Sequence, residues 1–353
     1  MYFVQQSVGL SDWMPHMNEV ESTIAFGPVP SRRLGRSLGI NNIPPKVCSY
    51  ACAYCQLGRT IRMQIGRFAF YEPDEVLRAV RDRIGVAVGA GESFDYLSFV
   101  PDGEPTLDAN LGREIELLRT LGITAVPHGF CGKVAAITNG SLMWRRDVRA
   151  DLMQADWVSL KVDSTREDTW RRLDRPYRTL QLGLILEGML AFAGAYEGEL
   201  VTETMLVQGM NDDAEHIGEI ADYLAQLRPV RAYLSVPIRP PAEEWVRPPR
   251  EETINQAYHI LRNKLEQVEC LTEYEGDAFA FTGDVERDLL SITAVHPMRQ
   301  EAVEELLARA GCDWSVVHRL MARDLLVETD YAGQRFYRRK LRYARRNQHE
   351  VVG

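Results

Sequence analysis

The sequence has no long hydrophobic segment, since no run of about 18 apolar residues occurs anywhere in its 353 residues. The first residues, MYFVQQSVGLSDWMPHMNEVEST, lack the basic flank and apolar centre of a secretory signal. Both absences predict a cytoplasmic protein without a membrane helix. Cysteine is also scarce, with six residues in the chain. A disulfide scaffold is therefore not expected, since six cysteines are too few for one and cytoplasmic thiols are normally reduced. A tight cysteine cluster in such a protein indicates metal binding or catalysis.

An excess of basic charge is absent as well. The 41 basic and 50 acidic side chains give a net charge of −9, which argues against coating nucleic acid with the whole surface. Any such binding would have to be local. The apolar fraction of 45% and the charged fraction of 26% are typical of a globular protein with a sizeable core. The length predicts one large domain and a small one.

Short apolar segments alternate with segments of helical periodicity, which predicts an α/β fold with a parallel sheet. Such a sheet is either open and doubly wound or curled into a full or partial barrel. In each case functional groups gather at the carboxyl ends of the strands. The six predicted strands are 37–43, 95–100, 134–140, 157–163, 201–207 and 231–238, and the predicted helices begin at Pro73, Asp108, Met143, Thr179 and Asp212.

Polar or cysteine-bearing loops follow the first four predicted strands. Taken singly, PDGEPT, TNGS and KVDS could be ordinary turns, since Gly, Asn, Asp and Pro are common turn residues. The loop after the first strand is different, because Cys48, Cys52 and Cys55 fall within eight positions. Structural zinc usually has four ligands, often from two separated pairs, and no second pair is present here. Three thiolates would leave one iron of a four-iron cluster without a cysteine.

The triplet, with Tyr54 directly before its last cysteine, resembles the signature of the radical S-adenosylmethionine (SAM) superfamily. In that family the open iron binds the amino and carboxylate groups of SAM. An electron from the cluster then cleaves SAM to methionine and a 5′-deoxyadenosyl radical, which abstracts hydrogen from the substrate. The resemblance covers about residues 24–240 and implies a partial (β/α)6 TIM-like barrel. It further implies a [4Fe-4S] cluster, SAM, and a reductant protein such as a flavodoxin or ferredoxin.

The resemblance also implies which residues contact SAM. The turn DGEP resembles the family's Gly-Gly-Glu-Pro turn, with Asp102 in place of the first glycine. On the fourth predicted strand, alternate side chains share one face and by resemblance point into the barrel; a solvated strand end with an internal salt bridge is the alternative. The implied contacts are Tyr54, Gly103, Glu104, Pro105, Ser159, Lys161 and Asp163, and weaker candidates are Asn139, Glu203, Thr204 and residues 207–212.

Residues 26–58, which begin FGPVPSRRLG, resemble a narrower group related to wyosine-type tRNA-modification synthetases. Those synthetases carry further cysteines upstream for a second cluster, whereas no cysteine precedes Cys48 here. We therefore predict a single-cluster relative without their pyruvate-dependent ring-forming reaction. Arg32, Arg33 and Arg36 could bind a phosphate or carboxylate of the substrate, or they could be solvated loop residues.

The end of the chain resembles a winged-helix module. Two amphipathic helices precede a hairpin that turns at Ala332 and Gly333. The segment 285–353 carries 12 basic and 10 acidic residues, so its net charge is +2 while the rest carries −11. Arginines and tyrosines alternate near its end and could bind RNA or DNA, although protein docking or a solvated tail is the alternative. The predicted organisation is an extension, 1–23, a radical SAM core, 24–284, and a winged-helix-like domain with a basic tail, 285–353.

Three classes of function fit these observations. The first is a radical SAM enzyme acting on RNA or another macromolecule, and the second is the same chemistry on a small metabolite or peptide. The third is an iron–sulfur sensor that binds DNA through the winged helix, although such a sensor has no need of the DGEP and KVD loops.

The Pro-rich stretch 239–252 is either a substrate lid or a plain connector.

Overall fold

The computed structural model describes residues 24–124, 133–272, 276 and 279–340. Its strands are β1 (Ala25–Ser31), β2 (Gly35–Ile40), β3 (Val47–Cys48), β4 (Arg62–Met63), β5 (Tyr96–Phe99), β6 (Val134–Thr138), β7 (Trp157–Lys161), β8 (Glu199–Met205), β9 (Arg231–Ser235), β10 (Val268–Leu271), β11 (Met298–Arg299), β12 (Leu326–Tyr331) and β13 (Gln334–Arg339). Its helices are α1 (Pro73–Gly89), α2 (Leu111–Thr124), α3 (Arg146–Leu152), α4 (Glu167–Leu173), α5 (Leu182–Ala193), α6 (Ala214–Leu227), α7 (Glu251–Arg262), α8 (Val285–Val295), α9 (Gln300–Arg309) and α10 (Ser315–Ala322).

The main sheet has eight strands in the order β1-β2-β5-β6-β7-β8-β9-β10. The pair β1 and β2 is antiparallel, and every other neighbouring pair is parallel. Helices α1 to α7 lie in the crossovers between the parallel strands. This is the predicted α/β fold with a parallel sheet, arranged as a partial barrel whose edges are β1 and β10.

Alternating side chains give the sheet an outer and an inner face. On β7, Val158 and Leu160 face outward and join the large core that the helices cover. Trp157 faces inward and packs with Val201 and Tyr233 of neighbouring strands. Leu34, at the tip of the β1–β2 hairpin, joins this inner cluster. The amino-terminal half of the interior is therefore filled with apolar side chains, and the polar site lies above it.

The six predicted strands are confirmed, and the predicted helices from Pro73 to Asp212 correspond to α1, α2, α3, α5 and α6. Two strands of the main sheet were not predicted. Strand β1 contains Pro28 and Pro30, which are typical of loops, and it is tolerated at a sheet edge with an irregular register. Strand β10 has only four residues, which is too short for a visible period.

The C-terminal elements α8 to α10 pack against a three-stranded sheet of order β11-β13-β12. The predicted hairpin is present, with positive φ angles of 50° at Ala332 and 77° at Gly333. This unit has its own hydrophobic cluster, which also includes Phe26 and Val29 of β1. The winged-helix assignment and the boundary at residue 285 stay predictions, and the predicted tail beyond residue 340 lies outside the described residues.

Membrane-spanning length and hydropathy are not combined in any helix of the described part of the chain.

Two buried carboxyl groups, Asp108 and Glu114, lie next to each other where α2 begins. Both Glu114 oxygens and Asp108 Oδ2 are buried, and a hydrogen bond between the two side chains raises the pKa of Glu114 and lowers that of Asp108. Burial raises the pKa of Asp108 to about 8, and burial together with Asp108 raises the pKa of Glu114. The two groups can bond to each other only while one of them carries a proton.

This pair predicts a pH dependence of stability. Because the folded protein holds a proton that the unfolded chain has lost above about pH 4, the free energy of unfolding should fall as pH rises toward 8. Glu114→Gln removes one charge of the pair, so its urea midpoint should fall less than that of the wild type between pH 5.5 and 8. Glu116→Gln is the matched control, because Glu116 lies exposed on the same helix. An equal slope in wild type and Glu114→Gln would contradict the shared proton.

Candidate active site

The cysteine strand β3 is held by the turn that follows β5. Val47 pairs with Gly103, and Glu104 N donates to Val47 O over 3.2 Å. On the other side, Lys46 N donates to Asp102 O over 2.6 Å. A Cβ atom on Gly103 would lie 2.0 Å from Val47 O, so the close approach of the two backbones requires glycine. The DGEP turn therefore fixes the position of Cys48.

Asp102, in the position of the first glycine of the family's turn, forms an ion pair with Lys46. Its Oδ1 lies 3.0 Å from Lys46 Nζ, and both side chains are largely buried. Burial raises the pKa of Asp102, while Lys46 acts in the opposite direction. Lys46 also donates to Leu57 O in the cysteine loop. The Asp102 side chain thus adds a tie between the two loops that a glycine could not make.

The rest of the cysteine loop is pinned to the end of α4. Ala53 N donates to Leu173 O over 2.8 Å, and Ala51 N donates to Asp174 O over 3.1 Å. Within the loop, Cys55 N donates to Cys52 O over 3.1 Å. Cys48, Cys52 and Cys55 are all free thiols of intermediate exposure. Backbone hydrogen bonds therefore fix much of the cysteine loop.

The three thiols form one electrostatic group. Burial raises the pKa of Cys48 to about 12, with Glu104 as the next contribution, and burial also raises the pKa of Cys52 and Cys55. Cys48 and Cys55 each raise the pKa of Cys52, which indicates that the sulfur atoms lie close to one another. The negative charges of neighbouring thiolates repel each other, and bound iron would offset this repulsion because a cation favours the thiolate form.

The donor set fits an iron–sulfur cluster. Thiolates are soft ligands suited to such clusters. No group of three or more described His, Cys, Asp or Glu side chains converges on the position of one metal ion. In a four-iron cluster each cysteine binds a different iron, so the three thiols need not converge on one point.

Glu104 connects the loops that follow β5 and β6. Its Oε1 accepts from the Thr106 and Thr138 hydroxyls, each over 2.6 Å, and its Oε2 accepts from Asn139 N over 2.8 Å. The carboxylate is 1% exposed, and burial raises its pKa while these bonds lower it. Pro105 follows as the first residue of a short 3-10 turn, Pro105–Leu107. Glu104 thus fixes the spacing between two of the predicted site loops.

Asn139 lies directly beside the first cysteine. Its Nδ2 is 3.0 Å from Ser49 Oγ and 3.6 Å from Cys48 Sγ. Its Oδ1 accepts from Ser141 N over 2.9 Å, which fixes the side-chain orientation. The amide therefore faces the sulfur, and Ser49 is a supporting residue that the sequence pattern did not single out.

Tyr54 is held by two buried carboxyl groups. Its hydroxyl lies 2.9 Å from Asp174 Oδ1 and also donates to Asp163. Burial and the neighbouring Asp163 raise the pKa of Asp174. Lys161 Nζ lies 4.8 Å from the centre of the Tyr54 ring and 3.8 Å from Asp163 Oδ1. Asp174 was missed by sequence reasoning, because it follows a short helix rather than a strand.

We call the loops at the carboxyl edge of the barrel, with Cys48, Tyr54, Asn139 and Asp163, the rim. Below the rim, the inner face of the barrel carries a cluster of charged side chains. Lys161 Nζ is 3.4 Å from Glu203 Oε1, Arg33 forms an ion pair with Glu203, and Ser235 Oγ donates to Glu203 over 3.0 Å. Ser159, which is 1% exposed, lies two residues before Lys161 on the same face of β7. The predicted shared face of Ser159 and Lys161 is thus present, and the ion pairs named as the alternative are present on it too.

Other candidates lie outside this group. Thr204 is on the opposite face of β8 from Glu203, and its hydroxyl donates to Val162 O over 2.8 Å. Arg36 pairs with Glu92 rather than lining the barrel, and Arg32 donates to Leu271 O over 2.5 Å. In the segment 207–212, Asn211 Nδ2 donates to Asp163 O over 2.8 Å, so this loop supports the rim.

The stretch 239–252 and the C-terminal unit both contact the cysteine loop. Glu243 N donates to Ala53 O over 3.0 Å. Gln56 Nε2 donates to Val295 O over 3.3 Å, and its Oε1 accepts from Arg239 over 2.9 Å. A Cβ atom on Gly58 would lie 3.0 Å from a terminal nitrogen of Arg338. The cysteine loop is therefore covered on this side by residues distant in sequence.

The fold and the site together define an enzyme whose cysteine loop lies at the carboxyl edge of a parallel α/β barrel. The sequence model of the Radical SAM superfamily matches residues 42–224, and the chain belongs to this superfamily, whose members use a [4Fe-4S] cluster and SAM. The resemblance predicted from the cysteine spacing is thereby confirmed. The narrower wyosine-type grouping stays a prediction.

Relatives extend over most of the chain. It is 45% identical over 327 residues to a UPF0026 protein of Methanocaldococcus jannaschii, covering 92% of this chain and 98% of that protein. It is 34% identical over 222 residues to a UPF0026 protein of Helicobacter pylori, covering 62% of this chain and 67% of the other. A solved radical SAM methyltransferase from Sphaerobacter thermophilus is similar with a TM-score of 0.49 and 17% identity, covering 67% of this chain and 66% of that one.

Proposed function

We propose that Cys48, Cys52 and Cys55 hold the [4Fe-4S] cluster and leave one iron open for SAM. When bound, the cluster supplies the electron that cleaves SAM to methionine and a 5′-deoxyadenosyl radical. The observation that carries the proposal is the Asn139 amide 3.6 Å from the Cys48 sulfur, on a loop that Glu104 joins to the DGEP turn. A sensor would not need these three loops assembled around its thiols.

The rim residues would bind and orient SAM. Lys161 lies over the Tyr54 ring and would attract the carboxylate of SAM, and Asp163 would accept from a ribose hydroxyl. The backbone of the DGEP turn would face the amino group. The proposed SAM contacts remain Tyr54, Gly103, Glu104, Pro105, Asn139, Ser159, Lys161 and Asp163.

The substrate would enter from the carboxyl edge of the barrel, and we propose that it is an RNA. The C-terminal unit supports this proposal, because the Gln56 contact with Val295 and the position of Arg338 beside Gly58 keep the unit next to the cysteine loop. Nucleic acid bound by that unit would lie near the radical. Deleting residues 285–353 would uncover Phe26 and Val29, so point substitutions are the better test of this role.

The reductant is proposed to be a flavodoxin or ferredoxin. For the first test, dithionite can replace it. We expect the anaerobically reconstituted wild type to bind about four irons and to form 5′-deoxyadenosine from SAM after reduction. Stoichiometric zinc without iron, together with no binding of SAM by equilibrium dialysis, would contradict the proposal. Binding of SAM is measured separately because SAM cleavage can be slow without the substrate.

A further inference from the structure

A cleft of about 340 Å³ lies beside α4, outside the proposed SAM site. It is lined by Arg171, Arg172, Arg175, Met210 and Trp245. Three guanidinium groups and an indole therefore surround a space of the size that small-molecule sites occupy. None of these five residues has a role in the proposed binding of the cluster or SAM.

The cleft is joined to the cysteine loop through one short segment. Residues 171–175 supply its three arginines, while the backbone of Leu173 and Asp174 accepts from Ala53 N and Ala51 N of the loop. Met210 packs against the apolar cluster that contains Ala53 and Tyr54. A ligand bound in the cleft would therefore lie directly behind the proposed cluster ligands.

The cleft has unneutralised positive charge. Arg171 pairs with Glu167 over 2.6 Å, and Arg175 pairs with Glu243 over 2.6 Å. Arg172 is exposed and has no ion pair in the described part of the chain. Arg247, two residues beyond Trp245, donates to the backbone carbonyl groups of Glu244 and Val246. The surface thus favours an anion although the whole chain has a net charge of −9.

Trp245 gives the cleft a planar apolar wall. Its side chain is 45% exposed, whereas the next residue, Val246, is fully buried in the cluster beside Tyr54. The buried neighbour anchors the loop while the indole stays accessible. Guanidinium groups beside an exposed aromatic ring are the combination that binds phosphate and stacks on a base in single-stranded nucleic acid.

We propose that this cleft binds one nucleotide unit of a single-stranded RNA, with the phosphate on Arg172 and the base stacked on Trp245. The proposal rests on the proposed function and adds a binding site for the RNA substrate proposed there. An acidic peptide would use the arginines but would have no need of the exposed indole, so the observations favour the nucleotide.

The test is binding of a fluorescein-labelled oligouridylate to the cluster-loaded protein, followed by anisotropy over a series of salt concentrations. Arg172→Glu should weaken binding by at least about tenfold and reduce the salt dependence by about one phosphate contact. Trp245→Ala should weaken binding by about tenfold through loss of stacking. The matched controls are Arg81→Glu, at an exposed residue of α1, and Trp144→Ala, whose indole is 40% exposed; both should bind within about twofold of wild type.

Two results would overturn the proposal. The first is wild-type affinity in both cleft variants, or an equal loss in Arg81→Glu and Trp144→Ala. The second is a loss in Arg172→Glu with none in Trp245→Ala, accompanied by displacement of the RNA by polyglutamate, which would assign the cleft to an acidic peptide. Anisotropy does not depend on SAM cleavage, so failure of the enzyme assay and failure of this binding pattern are distinguishable.

Discussion

Replacing Cys52 with alanine is expected to remove both the cluster and SAM cleavage. With two thiolates left, reconstitution should leave little bound iron, and the broad visible absorbance of an iron–sulfur cluster should disappear. The loss of 5′-deoxyadenosine formation should exceed the roughly 10- to 100-fold cost of removing a side chain that only supports a metal ligand. Iron content, absorbance and product are measured on the same anaerobic sample.

Cys270→Ala is the matched control for this variant. Cys270 is also a free thiol of intermediate exposure, but it lies on β10, away from the three proposed ligands. It should reconstitute and cleave SAM as the wild type does. Circular dichroism checks that Cys52→Ala still folds, which is expected because the loop is ordered by backbone bonds to Leu173 and Asp174. Full cluster content in folded Cys52→Ala would remove Cys52 from the ligand set.

The predictions that succeeded depended on local signals. Strand periodicity and the spacing of Cys48, Cys52 and Cys55 are properties of short segments, so the parallel sheet and the family could be predicted from them. The carboxyl-edge rule then indicated that the loops holding Gly103, Asn139 and Asp163 would be near the cysteine loop, although they are distant in sequence. Contacts of Gly103 with Val47, of Asn139 with Cys48 and of Asp163 with Tyr54 bring all three loops to it.

The features that were missed depend on pairing in three dimensions. Tyr54 and Asp174 are 120 positions apart, and no periodicity relates them. Arg33 was recognised as a candidate, but its pairing with Glu203 could not be predicted, because it depends on the β1–β2 hairpin tip lying inside the barrel. The cleft was missed for the same reason, since Arg172 and Trp245 come from separate crossovers. Burial decides which charges need a partner, and burial follows from the fold.

Gly103→Ala is expected to have the second large effect, because Gly103 lies at the contact between the DGEP turn and the strand that carries Cys48. The added methyl would lie 2.0 Å from Val47 O and 2.7 Å from Ile43 Cδ1. Ile43 could shift its side chain, but Val47 O is backbone and accepts from Glu104 N. Relief therefore requires the strand that carries Cys48 to move. We expect a loss of about 1–3 kcal/mol in the free energy of unfolding, as for an overpacked core.

Gly85→Ala separates this clash from a general effect of the substitution. Gly85 lies in α1, and beyond its chain neighbours and the surrounding helix backbone a Cβ there would meet no described atom within 4 Å, so alanine should be neutral or stabilise the protein by up to about 1 kcal/mol. Urea unfolding measures both variants, and iron content after reconstitution measures the site. In Gly103→Ala the strand that carries Cys48 must move away from the turn that contains Glu104. The variant should therefore lose cluster binding even at temperatures where it remains folded. Wild-type stability with full cluster content in Gly103→Ala would mean that the DGEP turn does not position Cys48. It would also contradict the SAM contacts proposed on that turn.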